Sequence, residues 1–307
     1  MNLAGAGRYA PSPTGDLHLG NLRTGLLAWL FARSTGRRFL LRYEDLDAGR
    51  VRSGVAERQR ADLESLGLDF DPPLVVQSQR SAAYADALAR LSELTYECFC
   101  SRREIAEAAS APHGSSGRYP GTCRDLSPAE RAERCRSGRV PALRIRADGA
   151  VVTVTDLLHG EVTGRVDDVV VRRNDGVAAY QLAVVVDDGA SGVNQVVRGD
   201  DLLASAPTQA WLAGQLGLPV PTYAHVPLAL NQHGQRLAKR DGAVTLADLA
   251  PSGWTPARVL GLLATSLGLA EPGEPVGAAD LLTRFDPAGL PREPWIVRPS
   301  TLVTPTW

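Results

Sequence analysis

The sequence predicts an α/β fold built on a parallel sheet, with an α+β insertion and a short, mostly helical C-terminal extension. Up to residue 95 the chain alternates between strand-like and helix-like segments, an order that favours parallel strands connected by helices. From residue 142 to residue 197 the pattern changes to valines at strand-like spacing. This change indicates an insertion between two halves of the α/β unit.

The first half of the chain has the clearest local signals. Residues 7–10 predict a strand that enters a loop rich in Pro, Ser and Gly. A helix is expected from about Leu19 to Thr35, because its apolar residues recur at helical spacing and Gly36 is a natural stop. Three further elements follow, namely a strand over 39–43, a helix that begins at a Ser53 cap and runs through Leu66, and a helix over 80–94.

Fewer signals mark the rest of the chain. The strand-like valines are Val152, Val154, Val169, Val171, Val184 and Val186, and Asn174-Asp175-Gly176 is a hairpin signal. Helices are predicted around 206–216 and 255–267. The second of these has Thr255 as its N-cap and Pro256 in its first position.

Composition excludes several classes of protein. The chain has 307 residues, 44% of them hydrophobic, and a formal net charge of -1. A chain of this size can bury a core without disulfides, and its balanced charge argues against a protein that coats nucleic acid non-specifically. The longest strongly apolar run, residues 25–32, is too short to span a membrane. With no secretory signal pattern at the N-terminus, we expect a cytoplasmic protein.

Two local motifs indicate phosphate chemistry. Segment 11–21 places His18 and Gly20 where a loop enters a helix, and helix N-termini bind anions through free backbone N–H groups. Gly20 would also let a flat ligand such as a purine approach the backbone. Segment 236–242 holds three cations, among them Lys239, the one lysine of the chain, and these would stabilise charge on a polyphosphate. Taken singly, the motifs have simpler interpretations, a helix-capping histidine and a solvated basic turn.

Together the two motifs resemble the ATP-binding motifs of class I aminoacyl-tRNA synthetases. The segments that are similar to glutamyl-tRNA synthetase core motifs are 7–15, 42–47, 180–188, 197–202 and 236–243, and the resemblance covers residues 7–245 in the same order. The residues after the basic loop are too few for a long helical anticodon-binding region. A core shortened in this way resembles the glutamyl-Q tRNA(Asp) synthetase family.

This resemblance implies a Rossmann-type class I catalytic domain and a two-step reaction. The enzyme would activate L-glutamate with ATP and Mg²⁺ as glutamyl-adenylate, and then attach the glutamate to the queuosine base in the anticodon of tRNA(Asp). We expect a monomer without a stable protein partner. Its units would be the first half of the catalytic domain (1–95), a zinc-binding insertion (96–190), the second half with the basic loop (191–243) and the C-terminal extension (244–307).

The resemblance also implies a glutamate pocket. Arg8 and Arg198 would bind the carboxylates of glutamate, because guanidinium groups suit bidentate bonds to carboxylates. Glu44 would bind its ammonium group. Ala10, Ser12 and Tyr180 would line the same pocket. The alternatives are that both arginines are ordinary surface cations and that Glu44 pairs with Arg42.

On the phosphate side, the resemblance makes His18 and Lys239 the catalytic residues. Gly20 and Asn21 would lie beside them at the ATP. Three residues depart from the class pattern: Asn21 replaces a common second histidine, Arg236 a lysine and Ala238 a serine. We expect these departures to affect the rate and not the type of reaction.

A metal site is implied by the cysteines. Cys98, Cys100, Tyr119 and Cys123 resemble the zinc ligands of the family, which would hold one structural Zn²⁺. Donor chemistry alone would favour Cys135 or His113 over Tyr119, since zinc prefers sulfur and nitrogen. The alternative is three buried cysteines without a metal.

Other functions are carried as alternatives. A truncated glutamyl-tRNA synthetase would charge a tRNA 3′ end, and a nucleotidylyltransferase would use the phosphate motifs on another acceptor. A non-catalytic, zinc-containing RNA-binding regulator would not activate glutamate at all. Aspartate differs from glutamate by one methylene, which is worth only about 1–3 kcal/mol in a pocket.

Overall fold

A computed structural model of the protein describes residues 5–101, 103–105, 119–237 and 244–298. The strands are β1 (Ala6–Tyr9), β2 (Arg38–Tyr43), β3 (Val75–Val76), β4 (Thr95–Cys98), β5 (Ala142–Ile145), β6 (Val151–Asp156), β7 (Gly160–Arg165), β8 (Val170–Arg172), β9 (Gln195–Gly199), β10 (Thr222–Val226), β11 (Ala229–Leu230) and β12 (Trp295–Ile296). The α-helices are α1 (Leu19–Arg33), α2 (Val55–Ser65), α3 (Ser81–Arg90), α4 (Pro128–Arg136), α5 (Tyr180–Ala190), α6 (Ala206–Gln215), α7 (Leu246–Leu249), α8 (Pro256–Ser266) and α9 (Ala278–Arg284).

The predicted parallel sheet is confirmed. Strands β1, β2 and β3 pair in parallel in that order, and β9 pairs in parallel with β10. A parallel bridge between Ala6 and Val193 joins the two groups. The resulting strand order is β3-β2-β1-β9-β10, with all strands parallel. Strands β2 and β3 extend the sheet on one side of β1, and β9 and β10 extend it on the other, so the strand order reverses between β1 and β9. In open α/β sheets, ligands bind at the carboxyl ends of the strands at such a reversal.

Both faces of this sheet are buried. Leu41 and Val197 join the core that contains α1, whereas their neighbours Leu40 and Val196 join a core on the other face that contains the start of α6. Successive side chains of a strand point to opposite faces. The strands therefore carry apolar residues at consecutive positions, as is typical of parallel sheets.

The middle of the chain divides between two sheets. Strands β4, β5 and β8 form a separate antiparallel sheet, with Cys98 at the end of β4. The antiparallel hairpin β6–β7 instead extends the main sheet, because Tyr223 of β10 pairs in parallel with Asp156 of β6. Residues 151–165 thus contribute two strands to the edge of the main sheet.

The prediction that Val184 and Val186 belong to a β region is wrong, since both lie in helix α5. This helix is buried from Leu182 to Asp188. The low helix propensity of valine costs less than about 1 kcal/mol per residue, whereas burial of a valine side chain stabilises by about 1.5–3 kcal/mol. Tertiary packing therefore outweighs the local preference.

Helix and turn boundaries largely follow the sequence signals. Helices α1, α3 and α6 occupy the predicted segments, and the Thr255 hydroxyl caps α8 by accepting from the Arg258 N–H at 3.3 Å. The predicted hairpin turn closes where the Arg173 N–H donates to the Val177 carbonyl. The Ser53 cap is wrong, because Gly54 precedes α2 at a positive φ of 74°. Among the described residues, no helix has the length and apolar content that a membrane crossing requires.

Candidate active site

The residues expected to bind glutamate come together where the sheet order reverses. Arg8 lies in β1, Arg198 lies in β9 and Glu44 directly follows β2. Tyr180 is the first residue of α5 and is 38% exposed. Ala10 and Ser12 follow β1, the first half-buried and the second exposed. Their placement at the carboxyl ends of parallel strands matches the ligand position of this fold.

A buried ion cluster forms the floor of this pocket. Asp188 Oδ1 accepts from Arg8 Nε at 3.3 Å and from Arg42 Nη1 at 2.5 Å, and Arg42 Nη2 donates to Glu44 Oε1 at 3.2 Å. The arginine side chains are 6% and 2% exposed, so neither is a surface cation. The alternative pairing of Glu44 with Arg42 is present, within the same cluster.

Burial and charge act in opposite directions on the two carboxylates. Burial favours the protonated form of Asp188, but the Arg42 and Arg8 guanidinium groups hold its pKa below the usual range. Burial raises the pKa of Glu44 despite the opposing effect of Arg42 and Arg8. An added ammonium group beside Glu44 would favour its charged form. The cluster itself has two cations and two carboxylates, and Arg198 beside it adds one positive charge, with Asp156 on the far side of His225.

Arg198 is held by neutral partners. Its Nη1 donates to Gln209 Oε1 at 2.7 Å, its Nη2 to the Leu202 carbonyl at 3.3 Å and its Nε to His225 Nε2 at 3.0 Å. His225 is fully buried and contacts Asp156 Oδ2 through Nδ1 at 2.6 Å. Nothing in the local sequence around His225 predicts this contact.

Asp187 and Asp188 were not predicted to contribute to the site, although their positions carry a signal. Both lie in the last turn of α5, where the helix dipole disfavours carboxylates. Asp187 is fully buried and accepts from Gln77, Arg80 and Tyr84. Two acidic residues at a buried helix C-terminus indicate cationic or hydrogen-bonding partners elsewhere in the chain.

On the phosphate side, His18 is the N-cap of α1. Its Nδ1 accepts from the N–H groups of Gly20 and Asn21 at 3.1 and 3.3 Å, and Asn21 Oδ1 accepts from the His18 N–H at 3.3 Å. The helix-capping interpretation is therefore correct. Because Nδ1 is an acceptor, the neutral ring carries its proton on Nε2. Burial lowers the pKa of His18, which favours this neutral form.

The structure shows what Gly20 and Asn21 contribute to the start of α1. A Cβ at Gly20 would lie 3.0 Å from His18 Cε1 and 3.1 Å from Ala229 Cβ. A larger residue at this position would therefore have to displace the His18 ring or Ala229 by a few tenths of an ångström. Asn21 completes the capping of α1, so its side chain orders the histidine backbone.

For the basic loop, the structure describes only the flanking residues, since Ala238 and Lys239 lie outside the described residues. Before the loop, Arg236 forms an ion pair with Asp201. After it, the Val244 carbonyl accepts from the Leu19 N–H at 3.0 Å, and Thr245 forms a bridge with His18. The far end of the loop is thus attached to the N-terminus of α1.

The predicted metal ligands also come together. Cys98, Cys100 and Cys123 have their sulfur atoms within 4.8 Å of one another, and the Tyr119 hydroxyl lies 3.3 Å from Cys98 Sγ and 3.7 Å from Cys100 Sγ. Zn–S bonds of about 2.3 Å in a tetrahedral site place sulfurs about 3.8 Å apart. The donor set therefore fits a tetrahedral metal, whereas Cys135 is exposed and His113 lies outside the described residues.

Arg144, which no sequence signal identified, contacts two residues of this cluster. Arg144 is 8% exposed, donates through Nε to Cys98 Sγ at 3.2 Å, and stacks over the Tyr119 ring at 3.7 Å. A cleft of about 1060 Å³ connects the cysteine cluster with the ion cluster, and its lining includes Glu44 and Tyr180. The two sites thus open into one space.

Comparison with known proteins identifies the family. The model for tRNA synthetases class I (E and Q), catalytic domain, matches residues 6–270. A Nocardia farcinica protein named glutamyl-Q tRNA(Asp) synthetase is 64% identical over 306 residues, which cover 99% of this chain and 96% of that protein. A Symbiobacterium thermophilum protein of the same name is 49% identical over 304 residues, 94% of each chain.

Solved structures share the fold. The crystal structure of glutamate-tRNA synthetase from Elizabethkingia anophelis has a TM-score of 0.81 at 24% identity, over 97% of this chain and 69% of that one. At this level of identity the likeness concerns the fold alone. From the family match and the relatives together, the chain belongs to the glutamyl-Q tRNA(Asp) synthetase family and is a ligase-type enzyme with a class I tRNA synthetase catalytic domain.

Proposed function

We propose that the protein activates L-glutamate with ATP as glutamyl-adenylate and transfers the glutamate to the queuosine base of tRNA(Asp). The observation that carries this proposal is the buried ion cluster at the reversal of the sheet together with Arg198, whose buried guanidinium is the one cation of this pocket without a carboxylate in direct contact among the described residues. L-Glutamate has two carboxylates and one ammonium group, and so a net charge of -1 at neutral pH. Substrate and pocket therefore neutralise each other.

Within this pocket, Arg8 and Arg198 are the proposed ligands of the substrate carboxylates. A guanidinium group has five N–H donors. Described residues accept from two of those in Arg8 and three of those in Arg198. The rest are available for bonds to a carboxylate. Glu44 receives its one bond from a described residue at Oε1, which leaves Oε2 for the ammonium group.

Activation joins a glutamate carboxylate oxygen to the α-phosphorus of ATP and releases pyrophosphate. We assign His18 the role of a neutral Nε2–H donor to a phosphate oxygen, because Nδ1 is occupied by the helix cap. Lys239 would stabilise the charge that develops on pyrophosphate, and Mg²⁺ would enter with ATP. Such catalysis consists mostly of positioning and electrostatic stabilisation.

The cysteine cluster is proposed to hold one structural zinc ion through Cys98, Cys100, Tyr119 and Cys123. A closed site of four protein ligands supplies a cross-link and no open position for chemistry. The ion would fix the wall of the cleft that faces the glutamate pocket. In this arrangement Tyr180 and the cysteine cluster border the space through which the acceptor base would reach the adenylate.

The proposal is tested with radiolabelled glutamate, ATP and two preparations of tRNA(Asp), one with queuosine and one with guanosine at the same position. Label is expected only on the first, and nuclease digestion should recover it in the anticodon fragment. Equal labelling of both preparations, or label on the 3′-terminal adenosine, would contradict the proposal. Glutamate-dependent ATP–pyrophosphate exchange measures activation separately, and its absence would favour the non-catalytic alternative.

A further inference from the structure

We propose that His225 is a positioning residue, which orients the Arg198 guanidinium for the substrate carboxylate. The inference rests on the proposed glutamate pocket. Arg198 Nε donates to His225 Nε2 at 3.0 Å, and the two side chains are 6% and 0% exposed. The contact lies at the carboxyl end of neighbouring parallel strands, since His225 pairs with Arg198 in the β9–β10 register.

The hydrogen bonds determine the tautomer of His225. Arginine Nε can only donate, so His225 Nε2 must accept, and the ring proton must lie on Nδ1. Nδ1 then donates to Asp156 Oδ2 at 2.6 Å. Asp156 is itself fixed, because its oxygens accept from the backbone N–H groups of Leu158, His159 and His225. The result is a buried chain of hydrogen bonds from Asp156 through His225 to Arg198.

A neutral acceptor has a specific advantage at this position. Asp188 neutralises part of the charge of Arg8 and Arg42. The His225 ring holds Arg198 in place without a negative charge of its own and separates the guanidinium from the Asp156 carboxylate, so Arg198 is less neutralised than Arg8 or Arg42. A guanidinium that is already oriented also loses less conformational entropy when the ligand binds. Burial lowers the pKa of His225, which favours this neutral ring.

Two amide variants separate the two nitrogen atoms of His225. In His225→Asn the amide lies near the former Nδ1 and can reach Asp156, but the acceptor for Arg198 is lost. In His225→Gln the longer side chain places an amide oxygen near the former Nε2, where it can accept from Arg198. The matched control is His159→Asn, because the His159 side chain contacts the backbone carbonyl of His225 and not its ring, and the substitution keeps the backbone N–H that bonds Asp156.

The experiment measures KM and kcat of glutamate-dependent ATP–pyrophosphate exchange. We expect His225→Asn to raise KM for glutamate about tenfold or more, with KM for ATP and kcat nearly unchanged. His225→Gln should recover most of this loss, and His159→Asn should stay within about twofold of wild type. If His225→Asn does not fold, a near wild-type KM in His225→Gln is the expected result.

The pH profile supplies a readout that a merely structural role would not move. The titratable and charged groups that face His225 are Asp156, Arg198, His159 and Tyr223. Protonation of His225 would remove the acceptor and place a second cation beside Arg198. Because burial lowers the pKa of His225, the wild-type KM for glutamate should rise only as the pH falls below the ordinary imidazole value of about 6.5, and this rise should be weaker in His225→Gln.

Two kinds of failure are distinguishable. An active wild type whose KM for glutamate is matched by His225→Asn would overturn the role of His225 alone. An equal rise of the KM for glutamate in His225→Asn and in a folded His225→Gln would also overturn the role of His225, because both variants would then have lost only packing. A wild type without glutamate-dependent exchange would overturn the proposed function, and this inference with it.

Discussion

The ion cluster and the cysteine cluster face the same cleft, yet they bury polar groups in different ways. In the ion cluster, Arg8 and Asp188 lie 180 residues apart in the chain and neutralise each other. In the cysteine cluster, all four donors lie between Cys98 and Cys123 and none is a natural cation. Tyr119 and the cysteines instead contact one another.

This difference indicates a ligand-binding role for the ion cluster and a structural role for the cysteine cluster. Buried charges are costly unless they are paired, so the ion cluster pairs its charges, and Arg198 beside it leaves one positive charge for a ligand. Four converging electron-pair donors repel one another once the thiols ionise, and a cation makes their arrangement favourable. The ion cluster is therefore expected to fold without the proposed substrate, and the cysteine cluster to need the proposed zinc ion.

The largest effect is expected when one of the proposed zinc ligands is removed. Cys123→Ser should reduce bound zinc from about one equivalent to none and lower the melting temperature, because structural zinc in small peptides binds with about 10–16 kcal/mol. Elemental analysis and thermal unfolding measure the two effects. Cys135→Ser is the matched control, since Cys135 is exposed on α4. Full zinc content in Cys123→Ser would show that Cys123 is not a ligand.

The ion cluster should be the next most sensitive. Asp188→Ala leaves the buried guanidinium groups of Arg8 and Arg42 without their shared carboxylate, which is expected to lower the free energy of unfolding by about 3–5 kcal/mol. Denaturant titration gives this value. Glu64→Ala removes one partner of an exposed pair with Arg60 and should cost about 0.5 kcal/mol or less. Equal losses in the free energy of unfolding for Asp188→Ala and Glu64→Ala would show that burial does not determine how much an ion pair contributes to stability.

Arg144 should have a smaller effect, confined to the cysteine cluster. Arg144→Met keeps an unbranched side chain but removes the donor to Cys98 and the cation above Tyr119. We expect zinc affinity to fall about 10–100-fold, as for other residues that support metal ligands. Competition with a chromophoric chelator measures this affinity. Arg146→Met is the control, because Arg146 lies over Tyr96 and bonds outside the cluster; similar losses in both variants would argue against a specific role.

The smallest effect concerns pH and again distinguishes the clusters. Since Arg42 and Arg8 hold the pKa of Asp188 below its usual range in the folded protein, the unfolded chain binds more protons between the two pKa values. The stability that Asp188 contributes is therefore present above its unfolded pKa of about 3.9. It is lost as the pH falls through the lower folded value. Free energies of unfolding measured from pH 5 downward should show this loss in wild type but not in Asp188→Asn; identical slopes would contradict it.

Local sequence signals predicted strands β1 and β2 and helices α1, α2, α3, α6 and α8, and the family resemblance named residues that the structure brings together in both clusters. His18, Gly36 and Thr255 mark helix ends that the structure confirms within two residues. Signals failed where burial changed a preference, as for Val184 and Val186 in α5. They also failed where a partner is distant in the chain. No local pattern connects Arg198 to His225, or Arg144 to Tyr119.

The sequence by itself determined where several of the strands and helices lie and which residues carry charge, sulfur or imidazole, because these follow from local preferences and residue type. Only the tertiary structure decided which carboxylate neutralises which arginine, and which nitrogen of His225 carries the proton. Such choices depend on groups brought within about 3 Å of each other by the folded sheet. At that distance, and in a buried setting, the partner of a charged group determines how much of its charge is left for a ligand.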